Sequence, residues 1–259
     1  MSQPTNSTTD FKPLISGEGL GYSFADQVLF KEINFKIFEG EHVVLIGPSG
    51  HGKSLLLKLM AGLLEPQTGR LYFMEKNWSE LSITQRNSHY LMRGMLFQKN
   101  ALFDSLSVLE NALFPLLETE TSYSDVEKKD RVEFLLNAVG LWHAKDLYPK
   151  ELSGGMQKRL GIARALVLKP KILLCDDPVA GLDPITARNI VKLIQEMQSQ
   201  NQTTCVSILN DMNRTKELAT RILMVMDQKV VDLGSPQEAL ENQNKKYFQF
   251  LRGEPYDAN

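Results

Sequence analysis

The stretch EHVVLIGPSGHGKSLLLKLMAGLL, residues 41–64, constrains the fold more than any other part of the chain. HVVLI, entered through the acidic-glycine turn Glu39-Gly40, is a continuous apolar run of the kind a strand covered on both faces requires. The leucines of SLLLKLMAGLL are packed closely enough for a helix enclosed on most sides. Between them, GPSGHGKS satisfies the pattern G-x-x-x-x-G-K-[ST], which has chemical meaning only in this strand, loop, helix setting. Gly47, Gly50 and Gly52 let backbone N–H groups turn inward around phosphate oxygens, Lys53 places a charge between the β- and γ-phosphates, and Ser54 offers a hydroxyl to Mg2+. Pro48, Ser49, His51 and Leu55 complete the candidate nucleotide cradle, His51 with no role beyond facing solvent or the nucleotide edge.

A second element, ILLCDDPVAGLDP at residues 172–184, ends an apolar run on two carboxylates. Asp176 at the carboxyl end of a parallel strand faces the ligand crevice and is a direct or outer-sphere partner for Mg2+. Asp177 is then placed to orient or deprotonate an attacking water. A third element, ELSGGMQKRLGIARAL at residues 151–166, puts Ser153, Gly154 and Gly155 at the start of a helix carrying Lys158, Arg159 and Arg164, a second anion-binding helix start. One nucleotide needs one cradle. The second is expected to serve the γ-phosphate held by another copy, with two sites closed across a symmetric dimer.

The rest of the chain supports one composite domain of α/β layers with a largely parallel sheet. Its 259 residues and 42% hydrophobic content suffice for a substantial core. With 29 basic against 31 acidic side chains there is no global electrostatic case for nucleic acid. Residues 29–37 alternate like a half-exposed strand, β-like runs recur at 171–175, 203–209, 222–226 and 229–232, and the last two form a hairpin through Asp227-Gln228. From about 91 to 168 the patterning turns helical, as an inserted subdomain would, and residues 184–200 read as an amphipathic helix. Cys175 and Cys205 lie in β-type apolar runs and are read as core residues. MSQPTNSTTDFKP lacks a basic segment followed by an apolar one, so it is read as a disordered tail and not a signal peptide, and a cytosolic location is expected. No stretch approaches the roughly 18 apolar residues of a membrane span.

Taken in order, these motifs resemble those of the ATP-binding subunits of ABC transporters: GPSGHGKS the Walker A loop, Gln98 in MLFQ the Q-loop, LSGGMQ the signature, ILLCD Walker B and AGLDP the D-loop. The resemblance covers nearly the whole chain. It implies a P-loop NTPase fold, an ABC-type nucleotide-binding domain over residues 13–240 with a mainly parallel core sheet, an antiparallel β subdomain and a helical subdomain at about 94–168, flanked by tails at 1–12 and 241–259. It further implies ATP and Mg2+ as ligands, Tyr22 stacked on adenine, Gln98 joining the metal site to the helical subdomain, Gln157 within the signature and Asp183 acting across the dimer interface. The succession MLFQKNALFDSLSVLENALFPL, with ILLCDDPVAGLDPITA and the terminal FQFLRG, is similar to the ATPases of Mce-associated, Mla-type lipid transporters. That likeness implies a homodimer, or a dimer with a paralogue, beneath two membrane permease chains, coupled to a lipid-binding Mce protein and open to a small regulatory subunit. The expected location is the cytoplasmic face of the inner membrane.

Two positions depart from the family pattern. Asp177 stands where a Glu is usual, and Asn210, in SILNDM, where the switch-loop His would be. The shorter carboxylate is withdrawn by about 1.5 Å, against a hydrogen-bond window of about 2.6 to 3.2 Å. Asn210 keeps a donor but cannot become cationic. Three readings stay open: a slow ATPase driving lipid transport, a nucleotide-binding regulatory or structural subunit with little turnover, and an ABC ATPase serving a non-lipid substrate.

Overall fold

A computed structural model describes residues 12–25, 27–97, 101–119 and 123–254. In chain order the elements are β1 (Pro13–Phe24), β2 (Gln27–Phe38), β3 (His42–Ile46), α1 (Lys53–Met60), β4 (Thr68–Phe73), β5 (Lys76–Asn77), α2 (Ile83–Leu91) and β6 (Arg93–Leu96). Then come α3 (Val108–Leu117), α4 (Asp125–Ala138), α5 (Gly154–Leu166), β7 (Ile172–Asp176), α6 (Pro184–Asn201), β8 (Thr204–Ile208), α7 (Met212–Leu218), β9 (Arg221–Met226), β10 (Lys229–Asp232), α8 (Pro236–Leu240) and α9 (Lys245–Arg252).

The strands form two sheets, one ordered β2-β1-β4-β5 and antiparallel, the other ordered β10-β9-β3-β8-β7-β6. In the second, every pairing from β9 through β6 is parallel and only β10 runs back at the edge. All five residues of β3 are buried, as its unbroken apolar run requires. Parallel pairing places the ends of β3, β7 and β8 on one edge: Leu45 lies opposite Ile208, and Ile208 opposite Asp176. The glycine loop, the paired carboxylates and Asn210 all leave the sheet there.

Helix α1 lies between the sheets. Its Leu56, Leu57, Leu59 and Met60 are fully buried in one apolar cluster with Ile15, Phe30 and Phe73 of the antiparallel sheet and Val43, Leu45 and Val225 of the parallel one. Burying four such side chains contributes about 1.5–3 kcal/mol each, which holds the loop at the helix's start against both layers. The opposite face of the core sheet packs against α3, α4 and α5 through Ala112, Leu116, Leu135, Leu160 and Leu166. Both cysteines are buried in strands with free thiols, as their apolar settings predict.

The Asp227-Gln228 hairpin forms with φ of 53° and 63°, the left-handed pair a tight two-residue turn needs. Strands β1, β4 and β6 were not foreseen. β1 carries Gly17, Gly19 and Gly21 and several register shifts, which erase its alternation. β6 is four residues long and overlaps the start of the expected helical stretch; a Cβ on its Gly94 would meet the Ala165 carbonyl. At the other end of the chain α9 buries Leu251, and Lys246 pairs with Asp227 at 2.6 Å. The tail expected over 1–12 falls, apart from Lys12, outside the described residues.

His42 on β3 is fully buried, its Nε2 2.9 Å from Ser207 Oγ, and burial pushes its pKa from an ordinary 6.5 to about 4. The unfolded chain therefore binds more protons between those values, so stability is full above about pH 6.5 and declines as pH falls toward about 4, by of order 3 kcal/mol in all. Urea midpoints measured across that window should show this slope, and His42→Gln should flatten it; an unchanged slope in the variant would refute the assignment.

Candidate functional site

An open cleft of about 370 Å³ at the carboxyl edge is lined by Ser49, Gly50, Gly52, Lys53, Ser54, Leu55, Asp176, Ile208 and Asn210. The loop is shaped by what lies beneath it. Gly47 has φ of 143°, and a methyl group there would run into the Val225 carbonyl on β9; at Gly52, with φ of 96°, a Cβ would sit 2.8 Å from the Phe30 ring. Lys53 curls back over the loop, donating to Gly47 O at 2.6 Å and Pro48 O at 2.9 Å. An ammonium has three donors, so one remains for an anion in the cleft. Burial lowers the Lys53 pKa and the charge of Asp176 opposes that shift. Ser54 is exposed at the first turn of α1, on the same cleft as Asp176. A hydroxyl, a carboxylate and a glycine cradle make a donor set that suits Mg2+ with a nucleotide phosphate, since Mg2+ takes one or two protein oxygens and completes its shell elsewhere.

Asp177, one residue past β7, has φ of 51°, a region in which Asp is favoured over longer side chains. Its N–H donates to Ile208 O at 3.1 Å. Its Oδ2 accepts from Asn210 Nδ2 at 3.1 Å. The two departures noted in the sequence thus meet each other. Asn210 also borders a second cleft of about 290 Å³ lined by Asp177, Val179, Ala180, Gly181, Leu182, Leu209, Asp211 and Arg214.

The serine-led helix start does not line the phosphate cleft of its own chain. Ser153 caps α5, its Oγ accepting from Met156 N at 3.3 Å. Gly154 stands in open space, and a Cβ on Gly155 would lie 3.3 Å from Leu182. Two basic residues of α5 have carbonyl partners within the chain: Lys158 is buried with Nζ on Ala180 O at 2.9 Å, and Arg159 donates to Val139 O at 2.7 Å, closing the end of α4. Gln157 donates inward to Pro149 O at 2.8 Å. Asp183 is exposed and caps α6, accepting from Ile185 N and Thr186 N at 3.0 Å; hydrogen bonds from Thr186 hold its carboxyl below the usual range.

Tyr22 is half-buried on β1, packed on the cluster around α1 and away from the cleft lining. His51 borders a separate hollow with Gln27, Val28 and Gln228, and its Nδ1 accepts from Asp227 N at 3.4 Å. Gln98 lies outside the described residues. Two residues with structural consequence escaped the sequence reading. Val225 sets the Gly47 approach, and buried Asn111 binds Phe103, Leu106 and Ser107, ordering the ALFDSLS loop. Nothing local in the sequence marks either.

The sequence model of the ABC transporter family matches residues 30–180. The intermembrane phospholipid transport system ATP-binding protein MlaF of Haemophilus influenzae is 34% identical over 241 residues, 93% of this chain and 91% of that protein. The probable ribonucleotide transport ATP-binding protein mkl of Mycobacterium tuberculosis is 36% identical over 253 residues, 97% of this chain and 70% of that one. Among solved structures, the dimeric post-hydrolysis state of the ATP-binding cassette MJ0796 bound to ADP and Pi superposes with a TM-score of 0.78 at 28% identity, covering 85% of this chain and 98% of the cassette.

Because the loop is seated on Val225, Gly47→Ala is expected to weaken binding of a fluorescent ATP analogue by more than about tenfold while the far-ultraviolet spectrum stays unchanged. Binding equal to the unsubstituted chain would show that the seat is not needed.

Proposed function

The chain belongs to the ABC transporter family as an ATP-binding, ATP-hydrolysing subunit, and on that premise we propose that it powers transport of phospholipids or related lipids between membranes. The observation that carries this reading is the match to MlaF over nearly the full length of both chains. The mkl relatives, named for ribonucleotide transport, give specific support to a second reading with a nucleotide-like cargo. No helix among the described residues is long and apolar enough to cross a membrane, which accords with a peripheral subunit attached through permease chains. The proposed assembly is a dimer of this subunit, or one with a paralogue, under two permeases at the cytoplasmic face of the inner membrane, with an Mce protein beyond them and a regulatory subunit alongside.

In the proposed mechanism the amides around Gly50 and Gly52 receive the phosphates, Lys53 turns its free donor to the β- and γ-phosphates, and Tyr22 supports the adenine. Ser54, Asp176 and Gln98 would hold Mg2+, and the ion would supply neutralisation of charge developing on the phosphates. Asp177, its Oδ2 bound to Asn210, orients the attacking water and takes its proton. Ser153, Gly154 and Gly155 of the second copy close on the γ-phosphate, with Asp183 beside them. The short reach of Asp177 slows this step, since a misplacement near 1 Å costs about a hundredfold.

Phosphate release by the assembled complex should exceed that of a Lys53→Ala control. A rate equal to the control would leave only the reading of a subunit that binds nucleotide without turnover. Asp177→Glu should raise kcat by about tenfold and lower the melting temperature slightly, because Glu gains reach but is less at ease at a positive φ. A lower kcat would remove reach as the limit. Lipid found by mass spectrometry in the detergent-extracted complex supports lipid cargo; nucleotide bound to the permease chains in its place supports the second reading.

A further inference from the structure

Lys158 is a cation almost without exposure, 7% accessible, on a helix whose other basic residues have structural carbonyl or ring partners. Lysine is seldom so deeply placed unless something holds its charge. Its Nζ donates to Ala180 O at 2.9 Å. Ala180 belongs to the turn that follows Asp177, and its own N–H returns to Asp177 O at 3.4 Å. On the far side, the Asp177 N–H is fastened to Ile208 O at 3.1 Å. The segment carrying this carboxylate is thus secured to β8 at its start and to α5 at its end. The charges agree with the contacts: burial lowers the Lys158 pKa, while Asp177 and then Asp176 raise it.

We propose that Lys158 is a positioning residue for hydrolysis, pinning the turn after Asp177 to the serine-led helix and thereby fixing where that carboxylate stands. A short carboxylate in a left-handed backbone has little freedom to make up a misplaced main chain by changing rotamer, so its position depends on the turn. Neither Lys158 nor Ala180 lines the phosphate cleft, and ATP binding should therefore be spared. This inference rests on the ATPase reading above.

The test compares Lys158→Met and Lys158→Arg with the unsubstituted chain, each in the assembled complex, by phosphate release as a function of ATP concentration. Lys158→Met, similar in volume but without donor or charge, should lower kcat at least about tenfold with KM changed by less than about threefold. Lys158→Arg, able to reach the same carbonyl, should restore most of the loss. A Lys158→Met kcat within about twofold of the unsubstituted complex overturns the inference, as does a KM that rises as much as kcat falls or an arginine variant as slow as the methionine one. If Lys158→Met does not assemble, Lys158→Gln is read on the same criteria. Should the unsubstituted complex itself release no phosphate above Lys53→Ala, the hydrolytic reading fails; if it turns over and Lys158→Met matches it, only the role of Lys158 fails.

Discussion

Everything chemical in this molecule depends on the parallel register of β3 between β8 and β9. That register aligns Leu45 with Ile208 on one side and Ile46 with Met224 on the other, so the chain leaving β3 must pass directly against the Val225 carbonyl. Only a residue without a side chain can make the passage, and Gly47 makes it at φ of 143°. The consequence is a loop whose carbonyls at 47 and 48 face Lys53. The same register brings Asp176 to the edge beside Ile208, which leads to Asn210. The glycine loop, the Asp176 carboxylate and Asn210 are brought to one edge of the sheet by strand pairing.

The carboxylate that follows is held differently. Asp177 sits outside the strand in a backbone conformation favourable to Asp, and three contacts bear on its place: Ile208 O at the end of β8, Asn210 Nδ2 in the loop after it and, through the turn, Lys158 of α5. Asp177 and Asn210 are each shorter than the residue usual in the family, and the shortening is shared. On the proposed reading, the cleft that would hold nucleotide stands beside a carboxylate with a shortened reach, the combination expected of a slow ATPase.

Much of this architecture is legible in the residues. The buried strand before the loop, the enclosed helix after it and the hairpin at Asp227-Gln228 each follow from periodicity and turn chemistry acting locally. The cleft residues Lys53, Ser54, Asp176 and Asn210 come together where the motifs put them. What the sequence conceals depends on distant partners. β1 is cut by glycines and bulges, and β6 is too short to carry a period. The inward turn of Lys158 could not be read because a lysine on the first turns of a helix looks like any exposed cation; its fate is set by a carbonyl 22 residues away. Val225 is an ordinary strand residue until β9 pairs with β3.

In the proposed assembly two copies of the chain close around nucleotide, each lending its Ser153–Gly155 start to the other's phosphates. Sedimentation of the Asp177→Asn chain with ATP and Mg2+, alone and within the full assembly, tests it most directly. A dimer should appear with nucleotide and be lost when Ser153 is replaced by Glu; nucleotide bound by a subunit that stays single in both settings would rule out the shared site.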